Sequence, residues 1–84
     1  MNYLGVLEGL LFVVGDEGIT LTQICDILNI NMEEAKELLL QIKQSYEVEE
    51  RGIRISYLGN AFKLTTKKEH REYYEKLIEN PETN

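Results

Sequence analysis

The 84-residue chain has no Trp, one Pro, one Cys and one His, and its first 35 residues contain neither Lys nor Arg. The lone Cys25 can neither close an internal disulfide nor build a multi-cysteine zinc site, and the lone His70 removes every two-histidine metal or catalytic arrangement. No apolar run approaches the roughly 20 residues of a membrane span, and Met1-Asn2-Tyr3 lacks the basic start of a signal peptide. The expectation is a cytoplasmic protein with no membrane partner and no cofactor. A chain of 9.8 kDa is also too short for two independent cores, which excludes most multi-part enzymes.

What is present is a globular balance, with 43% hydrophobic and 29% charged residues. The net charge of -6 is unevenly placed. Glu8, Asp16, Glu17, Asp26, Glu33 and Glu34 account for all of it, because residues 36–84 carry equal numbers of acids and bases. Polyanions are held by Lys and Arg that displace counterions, so the N-terminal half is a poor seat for DNA.

From Tyr3 to Val14 the residues Tyr3, Leu4, Val6, Leu7, Leu10, Leu11, Val13 and Val14 cover half the circumference of a helix, with Phe12 outside that half. An ordinary surface helix needs an apolar stripe of roughly 100°, so this one has surface to spare for a second partner. Gly15-Asp16-Glu17-Gly18 breaks it, with Gly free to take a left-handed C-cap. Thr20 can cap a short helix, Leu21 to Leu28, with Leu21, Ile24, Ile27 and Leu28 on one face. Asn29-Ile30 turns the chain, and Asn31 with Glu34 forms a capping box that opens a third helix to about Tyr46. Its inner face is read as Met32, Ala35, Leu38, Leu39, Ile42 and Tyr46.

Ile53 to Tyr57 and Ala61 to Thr65 alternate as two strands around Gly59-Asn60, predicting a type II′ hairpin that pairs Tyr57 with Phe62 and Ile55 with Leu64. Thr66-Lys67-Lys68-Glu69 reads as a capping box before a last helix whose buried stripe is Tyr73, Tyr74, Leu77 and Ile78. Three helices, a ribbon and a further helix form an α+β winged helix over residues 1–79. Residues 80–84 read as a polar tail or the start of a linker to a second winged-helix domain.

A winged helix suggests DNA binding through its third helix, yet the outer face here interleaves Glu33, Glu34 and Glu37 with Lys36 and Lys43 for a net negative charge. The Arg54 and Lys63 wing offers at most an assisting phosphate contact. Leu40, isolated on the outer face of the third helix, is either a single exposed leucine or a partner contact. Cys25 reads as a small buried hydrophobe and His70 as a packed or interface histidine on the last helix, so no catalytic residue is assigned. The first helix remains the most informative feature: Phe12 with Leu4 and Leu11 at the edge of the half-circle would pair with a second copy. Phe12→Asp or Leu11→Asp is then expected to break self-association.

The run Leu7 to Leu21, then Arg51-Gly52-Ile53 and Phe62-Lys63-Leu64-Thr65-Thr66-Lys67, resembles the N-terminal domain of segregation and condensation protein B, the bacterial non-SMC condensin subunit. The resemblance covers essentially the whole chain. It implies a non-enzymatic scaffold that homodimerises through its first winged helix. It also implies a kleisin partner, segregation and condensation protein A, which bridges the SMC ATPase heads during chromosome condensation and segregation and through which the domain would be associated with the nucleoid. The segment it carries over is Leu7, Leu10, Leu11 and Phe12, which puts Leu4, Leu7, Leu11 and Phe12 at the expected dimer interface. Family members continue into a second winged helix. The rival reading is a stand-alone winged-helix transcription regulator that binds DNA as a dimer.

Overall fold

The structure is a computed structural model that describes residues 2–79. Helix α1 spans Tyr3–Val14 and is started by Asn2, whose side chain accepts from the Leu4 N–H at 2.9 Å. A single 3₁₀ turn, Gly15–Glu17, follows, and Gly15 takes φ 58°, ψ -138°, a positive-φ conformation outside the left-handed helical cap expected there. Helix α2, Leu21–Leu28, opens with a full capping box between Thr20 and Gln23 and ends at Asn29 in the left-handed conformation. Helix α3, Met32–Ser45, opens with the expected box of Asn31 and Glu34.

Strands β1, Ile53–Leu58, and β2, Ala61–Thr66, form an antiparallel pair, each one residue longer than predicted, with Tyr57 opposite Phe62 and Ile55 opposite Leu64 as expected. The turn differs. Gly59 and Asn60 both have positive φ, 59° and 114°, the pattern of type I′, because Asn tolerates that region as well as Gly does. On the far side of β2, Ile19 exchanges both main-chain hydrogen bonds with Phe62 at 2.8 Å each. Gly18, at φ 75°, permits this closeness: a Cβ there would stand 2.8 Å from the Ala61 Cβ.

The core is built where the three helices meet the hairpin. Leu7 and Leu11 of α1, Ile24 and Leu28 of α2, Ala35, Leu39 and Ile42 of α3, Ile19, Tyr46 and Ile55 are all buried. Full burial of a leucine contributes about 1.5–3 kcal/mol, so Leu7 and Leu11 anchor the whole. Ile27 and Met32, read from sequence as inner-face residues, are exposed instead, because the core closes over Ile24 and Ala35 and leaves no layer to cover them.

The C-terminal end departs furthest from expectation. Thr66 stays in β2 opposite Ile53, so the predicted Thr66–Glu69 capping box does not form. Lys67 takes the position before a 3₁₀ turn, Lys68–His70, and is itself buried, its Nζ donating to the Val48 carbonyl at 2.6 Å. Helix α4, Arg71–Glu79, buries no residue. Of the predicted buried stripe, Tyr73, Leu77 and Ile78 are exposed and Tyr74 is half-buried, its hydroxyl lying beside Gly52. The 80–84 tail reading lies outside the described residues.

Two stability outcomes follow. Leu11→Ala should lower unfolding free energy by about 2–5 kcal/mol, because it leaves a cavity in a fully buried site. Gly18→Ala should cost about 1–3 kcal/mol through positive-φ strain and collision with Ala61. Chemical denaturation measures both, and an unchanged midpoint for either would contradict this packing.

Candidate functional site

Among the described residues no three His, Cys, Asp or Glu are grouped to hold a metal. Cys25 is half-buried against the core. His70 closes the 3₁₀ turn ahead of α4, rather than lying on the helix, and stacks edge-on with Tyr74, whose hydroxyl is 3.3 Å from Nδ1. Among the described residues no helix is long and apolar enough to cross a membrane. What the fold does offer is apolar surface.

The first surface lies on α1. Burial of Leu7 and Leu11 at 0% exposure removes both from any shared face, which corrects the sequence assignment of these two residues. They point along the half of the helix that α3 and the hairpin must cover, and no accessible area remains for a second chain. Leu4 is half-buried at the core's margin, while Phe12 and Val13 are 78% and 79% exposed. Val13, part of the apolar half-circle read from periodicity, lies outside the face of α1 that α3 and β2 cover.

Beside Phe12, the bare positions Gly5 and Gly9 open a groove of about 340 Å³ against Tyr46, Ile53 and Leu64. Glu8 stands at its rim and accepts a hydrogen bond from the Tyr46 hydroxyl. Burial, with the Glu8 carboxylate beside it, pushes the Tyr46 hydroxyl above the ordinary 10.0, and Arg51 opposes this weakly. A second apolar groove, about 390 Å³, lies between Tyr3, Ile30 and Leu38 and is rimmed by Glu33, Glu34 and Glu37. The unpartnered face of α4 makes a third surface.

A fourth surface runs between α3 and the hairpin. It joins Leu40, half-exposed, to Leu39, Lys43, Ile55, Tyr57 and Phe62. Sequence reasoning singled out Leu40 but missed Tyr57 and Leu58, which are exposed because the hairpin tip overshoots the body. The two candidate phosphate contacts are already engaged. Arg54 pairs with Glu47 at 3.1 Å, and the Lys63 Nζ reaches the Asp16 carbonyl at 3.5 Å. Glu33, Glu34 and Glu37 remain exposed on α3 as expected.

A helix-turn-helix closed by a two-stranded ribbon, with apolar grooves beside α1 and α3 and an acidic outer face on α3, defines a winged-helix domain. The chain belongs to the family described as segregation and condensation complex subunit ScpB, whose sequence profile matches residues 5–84. It is 43% identical over 82 residues to segregation and condensation protein B of Oceanobacillus iheyensis, covering 98% of this chain and 43% of that protein. The protein of the same name from Geobacillus thermodenitrificans is 45% identical over 76 residues, covering 90% of this chain and 36% of its own length. The chain thus spans less than half the length of these relatives. A crystal structure described as a dimer of the ScpB N-terminal domain complexed with ScpA peptide superposes with a TM-score of 0.87. It is 44% identical and covers 89% of this chain and 86% of that one.

The Tyr46–Glu8 contact sets an alkaline limit. With its folded pKa raised, Tyr46 contributes stability that is fully present below pH 10.0 and lost as pH rises through the folded value, since unfolded chains release the proton first. Tyr46→Phe should remove that share of the alkaline loss in denaturation measured between about pH 9 and 12. An unaltered alkaline limb would contradict the contact.

Proposed function

We propose that this chain is the dimerising, kleisin-binding winged-helix domain of a bacterial condensin subunit, acting in chromosome condensation and segregation. The observation that carries this reading is the likeness, at 44% identity over 89% of the chain, to a domain described as dimeric and complexed with an ScpA peptide. The partners are then a second copy and the kleisin, segregation and condensation protein A, through which SMC is reached. The domain works by burying surface, without catalysis or cofactor, in the cytoplasm and at the nucleoid through its complex. Residues 1–79 form the folded unit in this reading.

The self-contact is assigned to the exposed side of α1, with Phe12 at its centre and Leu4 at its margin. Phe12 exposes most of its ring beside an open groove, and an aromatic side chain is the kind of anchor that dominates an interface. Leu7 and Leu11 support this face from beneath. The transcription-regulator reading is disfavoured by the acids on α3 and by the internal partners of Arg54 and Lys63.

Sedimentation across a concentration series tests the assignment. The protein should sediment as a dimer, and Phe12→Asp should raise the dissociation constant at least about 100-fold by forcing a carboxylate into the contact. Because Phe12 is exposed in the single chain, the same change should alter monomer stability by less than about 0.5 kcal/mol. Leu11→Asp, by contrast, should prevent folding. A folded Phe12→Asp protein that remains dimeric would remove Phe12 from the interface.

A further inference from the structure

The sheet has two edges, and they are treated differently. On β2, the Phe62 N–H and C=O are both bonded to Ile19, so they point away from β1. The opposite residue, Tyr57, must then also point its main-chain groups outward, because paired residues in an antiparallel ladder either exchange both bonds or neither. The alternation repeats every second residue, so Ile55 opposite Leu64 does the same. The outward N–H and C=O groups of Ile55 and Tyr57 take no bond from any loop or other segment among the described residues. Both residues also line a groove of about 490 Å³ that reaches from Lys43 of α3 across Arg54, Ser56 and Leu58 of β1 to Thr65 and Thr66 of β2 and Lys68.

Three features of this groove agree on one kind of occupant. An open strand edge is satisfied by another extended main chain, whereas a helix satisfies its own hydrogen bonds and would leave the edge unpaired. The lining holds Lys43 and Lys68 and no acid, in a chain of net charge -6, while its third cation, Arg54, is already paired with Glu47. Leu40, Tyr57 and Leu58 beside it are at least half-exposed and call for apolar cover, which a phosphate backbone does not provide.

We propose that the free edge of β1 is a strand-addition site for an extended, acidic segment of the kleisin partner. The segment's main chain pairs with Ile55 and Tyr57, its carboxylates meet Lys43 and Lys68, and an apolar residue lies over Leu40 and Tyr57. The kleisin as source rests on the function proposed above. The edge chemistry does not.

Overlapping peptides covering ScpA from the same genome, titrated into the protein and followed by fluorescence anisotropy and amide exchange, test the site. A binding peptide should slow exchange at the Ile55 and Tyr57 amides. Methylating alternate amide nitrogens of that peptide should abolish binding while leaving its side chains intact. Lys43→Glu with Lys68→Glu should weaken it at least about tenfold. Tyr57→Pro removes the outward donor without taking a hydrogen bond from the β1–β2 ladder, and because it also deletes the ring against Phe62, Tyr57→Ala serves as its reference: binding should fall further in the proline variant than in the alanine one; should the proline variant misfold, the methylated peptides decide instead. Peptides that bind without altering Ile55 or Tyr57 exchange, indifferent to charge reversal, would overturn the edge site and leave the kleisin reading standing. Failure of every peptide and of full-length ScpA would overturn both. Duplex DNA bound through Lys43 and Lys68 with no peptide binding would make the groove a nucleic-acid contact and overturn the site.

Discussion

The paired hydrogen bonds between Ile19 and Phe62 hold this domain in its shape. They join the helical half of the chain to the hairpin across a gap of more than 40 residues, and they do so only because Gly18 lets the backbone approach Ala61 without a Cβ in the way. With β2 fixed in this way, Ile55 is pressed into the core beneath α3 and Leu64 is brought against α1. The same tie decides which edge of the ribbon is closed and which is left open. The grooves that the hairpin shares with α1 and α3 are therefore positioned by one bridge.

Helix α1 shows how a small domain divides apolar surface between core and contact. Two layers of helix and a ribbon can bury only one side of it, so Leu7 and Leu11 are consumed inside while Phe12 and Val13 remain outside. The absence of side chains at Gly5 and Gly9 turns the boundary into a groove rather than a flat face. Helix α4 repeats the theme more strongly. A nine-residue helix is marginal by itself in water, and this one has no buried residue of its own.

Charge is used with similar economy. Acids crowd the start of α3, where Glu34 completes a capping box and the helix dipole favours negative charge, and this makes the usual DNA-reading helix repellent to phosphate. Of the ribbon's cations, Arg54 is paired with Glu47 and the Lys63 Nζ donates to the Asp16 carbonyl. A winged helix arranged like this retains the shape of a DNA reader and is suited to polypeptide partners, in keeping with its membership of the ScpB family.

Much of the fold was legible locally. Capping at Thr20 and Asn31, the alternation of Ile53 to Tyr57 and the two-residue turn each depend on neighbours within four residues, and helices and hairpin stand where these signals put them. Resemblance in the Leu7 to Leu21 run likewise located the family. Sequence periodicity named the apolar residues of α1 and α4 correctly as apolar, but gave no means of telling core from surface, since a helical wheel records direction and not what stands opposite. That required the tertiary structure: Leu11 is buried because α3 and the hairpin close over it, and Leu77 is exposed because α4 meets the body through the side of the helix that carries Tyr74. The sequence by itself determined the elements, their order and the imbalance of charge, all of them local or additive properties. Only the folded chain decided which apolar faces are spent inside and which strand edge stays open, because both depend on contacts between residues far apart in the chain.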